Sequence, residues 1–239
     1  MADKSLRPTG KPVQPSPAST SSEISEFVKK VGQIARPNSG SGQGRLLFAL
    51  DATMSRQPTW DLACSLQAEM FKALPKDGNL SVQLLYFRGL AECRASKWVT
   101  DAAALARLMS GVACQGGNTQ ISKVLAHARR EQSRQKLDAV VYVGDAIEEN
   151  VDGLAAKAGE LGLLGCPMFI FQEGRDARVE AAFREFARLT KGAYARFDAS
   201  APAELAALLR AVAAYATGGK ALLKLQNTPR ATALLEQLS

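Results

Sequence analysis

The stretch Arg45-Leu46-Leu47-Phe48-Ala49-Leu50-Asp51-Ala52-Thr53-Met54-Ser55 decides how this chain is read. Residues 46–50 form an unbroken apolar run that stops abruptly at a carboxylate. A short run without polar alternation suits a strand buried on both faces, as in a parallel sheet. A second stretch, Val140-Val141-Tyr142-Val143-Gly144-Asp145, repeats the pattern. Each run delivers an aspartate to the carboxyl edge of a sheet, where open α/β sheets collect ligands. Between the two lies Cys114-Gln115-Gly116-Gly117-Asn118-Thr119, a loop whose glycines let the backbone turn and whose last residue carries a hydroxyl.

Taken together, Asp51, Thr53, Ser55, Thr119 and Asp145 offer only hard oxygen ligands. That set suits Mg²⁺, Mn²⁺ or Ca²⁺ rather than zinc. Any one of these segments alone is read more simply, as an aspartate or hydroxyl capping the next helix. Three of them in one chain favour a metal site. The order D-x-[S/T]-x-S, glycine-containing loop with threonine, then strand-Gly-Asp resembles the metal-ion-dependent adhesion site of von Willebrand factor A (VWA) domains, over roughly Gly44 to Thr217. It departs at Thr53, where the family usually has serine; the hydroxyl is kept and a methyl is added.

This resemblance implies that Asp51, Thr53, Ser55, Thr119 and Asp145 hold a divalent cation, Mg²⁺ or else Mn²⁺ or Ca²⁺, directly or through water. Two aspartates balance its charge and leave room for one more anion. In VWA domains that anion is typically a carboxylate from a protein partner, so the metal is a recognition contact. The candidate segments contain no histidine or other evident general base, which fits binding better than catalysis. The chain is therefore expected not to be an enzyme. The resemblance also implies the strand order 3-2-1-4-5-6 with strand 3 antiparallel.

Outward from the first stretch, strands and helices alternate. Strands are expected at 45–50, 81–87, 92–98, 139–143, 167–172 and 193–197. Helices are expected at about 59–74, 101–110, from the Thr119 loop to 135, and at 151–161, 178–190 and 203–216. That rhythm argues for a doubly wound, mainly parallel α/β sheet with helices on both faces. The short connection at Gly89 points to one antiparallel edge pair.

The domain is expected at 44–217, preceded by a tail and followed by another. Residues 1–20 are rich in Pro, Ser, Thr and Lys and read as disordered, and residues 37–44 read as a linker. Between them Ile24, Phe27, Val28, Val31 and Ile34 recur at helical spacing, with Thr20 and Glu23 fitting a capping box. Such a short helix must dock, on the domain or on a partner. A second short helix is expected after Pro229 in the 218–239 tail.

Composition narrows the function class. The 239 residues are 46 % hydrophobic, enough for an ordinary core, and hold no run near the ~18 apolar residues of a membrane span. The N-terminus lacks the apolar segment of a secretory signal, so a cytoplasmic location is expected, with the four cysteines reduced. With no CxxC pair and a single histidine, a zinc site is not expected. Cys114 reads as a small core residue, His127 as a packed or surface residue, and Glu148 and Glu149 as a solvated helix start. The net charge of +7 is +3 in residues 1–44 and +2 in residues 218–239, leaving +2 for the middle. A nucleic-acid reader would more often concentrate charge on a folded face with stacking aromatics, so nucleic acid is an alternative resting on the tails. The Arg129, Arg130, Arg134 and Lys136 cluster reads as a solvated face. A haloacid-dehalogenase-type phosphotransferase needs a second aspartate where Thr53 stands, so that alternative fails. A dinucleotide fold needs glycines after its first strand rather than at 40–44.

Overall fold

The first strand, β1 (Gln43–Asp51), is buried along almost its whole length. Leu46, Phe48 and Leu50 enter one hydrophobic cluster, and Leu47 and Ala49 enter another on the opposite face. An apolar run with both faces covered is the burial that a central parallel strand requires. A computed structural model describes residues 21–34, 43–54, 57–72, 79–198, 200 and 202–217.

Around β1 the other strands are β2 (Asn79–Arg88), β3 (Glu92–Val99), β4 (Ala139–Gly144), β5 (Met168–Glu173) and β6 (Ala193–Phe197). The sheet order is β3-β2-β1-β4-β5-β6. Every pair is parallel except β2 with β3, which are antiparallel. This is the expected doubly wound topology with one antiparallel edge strand. The connection reverses direction at β1 and β4, which lie side by side with Leu50 opposite Val143. That junction is the switch point at whose carboxyl end α/β sheets form their crevice.

Eight helices among the described residues cover the two faces. One face carries α1 (Ser21–Gln33), α2 (Gln57–Leu66), α3 (Glu69–Lys72), α4 (Ala102–Ser110) and α8 (Pro202–Ala216). The other carries α5 (Ile121–Arg134), α6 (Val151–Leu163) and α7 (Ala177–Leu189). Leu205, Leu208, Leu209 and Val212 of α8 are fully buried, and α8 packs against α1, α3 and β1.

Two elements differ from expectation. The helix expected at 59–74 breaks at Gln67 and Ala68 into α2 and α3. The break brings Met70 fully into the core and lets Glu69 accept a hydrogen bond from Arg210 of α8 at 2.6 Å. Packing has overridden local periodicity there. The second difference is α1, assigned from sequence to a tail outside a 44–217 domain. Its Phe27 and Val31 belong to the sheet's own core, Phe27 meeting the rings of Phe169 and Phe171 edge-on at 6.3 and 5.5 Å. Glu23 accepts from Arg196 of β6 at 3.1 Å. The stripe read from the sequence thus docks on the domain. The expected disorder of 1–20, the linker at 37–44 before Gln43, Thr20 and the C-terminal helix lie outside the described residues.

Candidate functional site at the β1–β4 edge

Asp51 is the last residue of β1 and is only 4 % exposed. Its Oδ1 accepts from the Thr53 N–H at 2.8 Å, so the side chain folds back over the turn that follows the strand. The turn is gripped on both sides. Ala52 N–H donates to Phe87 O at the end of β2, at 2.9 Å, and Ala52 O accepts from Gln115 N–H at 3.0 Å. Through that second bond the loop leading to Thr119 is stitched to the end of β1.

The Thr119 loop is tied equally to the β2–β3 turn. Asn118 N–H reaches Gly89 O at 3.2 Å, and the Gln120 amide donates to Arg88 O and Gly89 O at 3.2 and 3.3 Å. Gly89 sits at φ +60°, a conformation natural to glycine. Gly117 passes so close to it that a Cβ there would lie 2.0 Å from Gly89 O. Both glycines are therefore required by the path that delivers Thr119.

The loop after β4 completes the arrangement. Asp145 follows Gly144 directly and is half-buried. Three residues on, Glu148 and Thr119 bond reciprocally: the Thr119 N–H donates to Glu148 Oε2 at 2.8 Å, and the Glu148 N–H donates to Thr119 Oγ1 at 3.0 Å. Glu149 accepts from the N–H groups of Ile121 and of Ser122, the latter at 2.9 Å. Those are orphan donors of the first turn of α5, whose own N-cap residue, Gln120, makes no side-chain cap bond. A carboxylate there also meets the positive end of the helix dipole.

The three segments singled out in the sequence are thus linked by hydrogen bonds at one corner of the sheet. Asp51, Thr53 and Thr119 are buried, Thr53 and Thr119 at 7 % and 6 % exposure, and Asp145 sits on the neighbouring strand end. Ser55 lies outside the described residues. The side chains that these segments carry, two carboxylates and two hydroxyls, are of the kind that a hard divalent cation takes. Among the described residues no group of three or more His, Cys, Asp and Glu side chains is arranged to hold a metal ion. A cation at this corner would therefore need the hydroxyls as well as the aspartates.

Sequence reading missed the parts played by Glu148 and Glu149. Glu148 is exposed and Glu149 half-buried, but neither starts α6, which is capped separately by Asn150, whose side chain accepts from the Gly153 N–H at 2.8 Å. The available clue was the absence of a good capping residue at Gln120, which leaves the start of α5 in need of an acceptor from elsewhere. Cys114 is buried in the core as expected. His127 is half-buried and bonded to Gln83 at 2.9 Å, with burial holding its pKa below the ordinary value.

No family model matches the chain, and no curated protein matches it. Solved structures do. An aerotolerance-related membrane protein from Bacteroides fragilis, carrying multiple mutations to serine, matches with a TM-score of 0.55 at 19 % identity, over 71 % of this chain and 98 % of that one. The VWA domain of SpRpn10 matches with a TM-score of 0.51 at 10 % identity, over 65 % and 88 %. Proximal thread matrix protein 1 of the mussel byssus, with a zinc-occupied metal-ion-dependent adhesion site, matches with a TM-score of 0.58 at 14 % identity, over 72 % of this chain and 46 % of that one. The fold is that of a VWA-like domain. No helix among the described residues is long and apolar enough to cross a membrane.

Proposed function

We propose that this protein is a metal-dependent interaction module that captures a carboxylate of a partner protein. Asp51, Thr53, Ser55, Thr119 and Asp145 would hold the cation, with Mg²⁺ first and Mn²⁺ or Ca²⁺ as the other candidates. The single observation that supports this most is the pair of ties, Gln115 to Ala52 and Glu148 to Thr119, that draw the three ligand-bearing segments to one corner. The zinc-occupied site of the mussel protein supports the same kind of occupant on the same kind of fold. A bound divalent cation would supply a Lewis-acidic contact for an incoming carboxylate. Around it, Asp51 and Asp145 balance two charges, and the Thr53 and Thr119 hydroxyls complete an oxygen set without adding charge.

The reading is of recognition, not catalysis. The one histidine, His127, is committed to Gln83 on β2 rather than to the site. A cytoplasmic location belongs to the same proposal. The deciding experiment is calorimetric titration of the full chain with Mg²⁺, Mn²⁺ and Ca²⁺, beside Asp145→Ala. The wild type is expected to bind, and at roughly 100 times its Kd an ion should raise stability by about 2.7 kcal/mol. Asp145→Ala should lose both effects while staying folded. If a folded wild type binds no ion at millimolar concentration, the site is not a metal site.

A further inference from the structure

A cavity of about 160 Å³ lies between β3 and α5. Its walls include Cys93 and Ala95 of β3 and Ala126, Lys123, His127 and Arg130 of α5. Sites for cofactors or drug-sized ligands run to roughly 300–1,000 Å³, so this one has room for a single side chain. A cysteine and a histidine in one cavity invite a nucleophilic reading, but the thiol is wrong for it. Burial pushes Cys93 up to about 11 even though Lys123 and Arg130 pull the other way, and a nucleophilic thiol needs the opposite shift.

Glu149 and Glu131 act on the cavity's Cys93 and His127 from a distance, but neither forms an ion pair with the cavity's two cations. Neighbouring cations are paired: Arg129 with Glu160, Arg134 with Glu131 and Lys136 with Asp138. Lys123 instead meets neutral oxygens, Ala91 O at 2.6 Å and Gln120 Oε1 at 2.8 Å. Arg130 approaches only His127 Nδ1, at 3.4 Å. Among the described residues neither has a carboxylate partner. His127 donates from Nε2 to Gln83 and accepts at Nδ1, which is the neutral ring, so Lys123 and Arg130 supply the formal charge.

The strand beside the cavity is open as well. Among the described residues β3 is the edge of the sheet and pairs with β2 alone. Its exposed residues include Lys97 and Arg94, the latter paired with Glu92 of the same strand at 3.0 Å. An extended peptide can add to such an edge through main-chain hydrogen bonds while alternate side chains enter pockets. The geometry points to a docking site for an acidic segment of a partner protein, extended along β3 with a glutamate or aspartate side chain seated between Lys123 and Arg130. This site is separate from the β1–β4 corner and needs no metal.

The test is fluorescence anisotropy of labelled decaglutamate with the full chain in EDTA, which silences any cation site, beside labelled decathymidylate. Decaglutamate should bind. Lys123→Glu with Arg130→Glu should weaken it at least tenfold, and Ala126→Leu, which fills the cavity but keeps both charges, at least threefold. Lys123→Gln, at an exposed position, serves should the double variant fail its thermal-unfolding check; it should weaken binding several-fold. No binding by wild type overturns the proposal. So does Ala126→Leu binding at full strength, which would leave surface charge without a pocket. Tighter binding of decathymidylate, lost in the same variants, would assign the face to nucleic acid instead.

Discussion

Thr119 is held from both its backbone and its side chain, and the two can be separated by mutation. Replacing it with valine keeps the shape but leaves the Glu148 N–H without its acceptor, which costs about 1–3 kcal/mol. Serine restores the acceptor. Urea unfolding should therefore rank wild type and Thr119→Ser together, well above Thr119→Val. Gly117 is less forgiving. Any Cβ there collides with Gly89 O at 2.0 Å, so Gly117→Ala should destabilise by about 1–3 kcal/mol and displace the loop, weakening any Mg²⁺ binding in the same titration. Cys93 and Cys166 make a prediction about pH. Burial raises them to about 11 and about 12, above the ordinary value of 9.0. The unfolded thiols ionise first, so this stability is whole below about pH 9 and falls as pH rises toward the folded values. Melting temperatures between pH 8 and 10.5 should decline, and less steeply in Cys93→Ala. At this scale the candidate ligands were legible, because aspartates ending apolar runs and a hydroxyl after glycines announce themselves by residue type. Glu148 and Glu149 were not, because their partners are backbone N–H groups 29 residues away for Glu148 and 28 and 27 residues away for Glu149.

Elements were legible wherever one face or both had to be apolar. Five strands follow from short, largely apolar runs, whereas β3, which carries Glu92, Arg94 and Lys97, was expected as an antiparallel edge strand from the short connection at Gly89. Two things were hidden. Nothing in the sequence around Gln67 marks the break between α2 and α3, since it arises from α8 packing against them. The stripe on α1 shows that the helix must dock without showing where. Its destination gives a clean prediction. Phe27 is 3 % exposed between Phe169 and Phe171, so Phe27→Ala should cost about 3 kcal/mol. Lys29→Ala, at an exposed position on the same helix, should leave the urea midpoint unchanged.

For the whole molecule, the sheet order sets what the corner can do. β1 and β4 meet where the chain changes direction, so Asp51 and Asp145 come from strands whose helices lead away to either side. Among the described residues the loops of the corner are joined by hydrogen bonds of their own, Gln115 to Ala52 and Glu148 to Thr119. The charge of the folded middle is nearly balanced, which places the interest in local, unpaired cations such as Lys123 and Arg130 rather than in a global field.

The deep burial of α8 also bears on how the chain is made. Leu205, Leu208, Leu209 and Val212 fill the same cluster as Leu46, Phe48 and Leu50 of β1 and Phe27 and Val31 of α1. During synthesis the face that α8 shares with α1–α4 therefore stays incompletely covered until residues 202–217 have emerged, however early its strands are complete. α1, translated first, finds much of its seat only when α8 arrives. Nascent chains halted after Asp198 should be digested rapidly, and those released beyond Thr217 should resist the same protease.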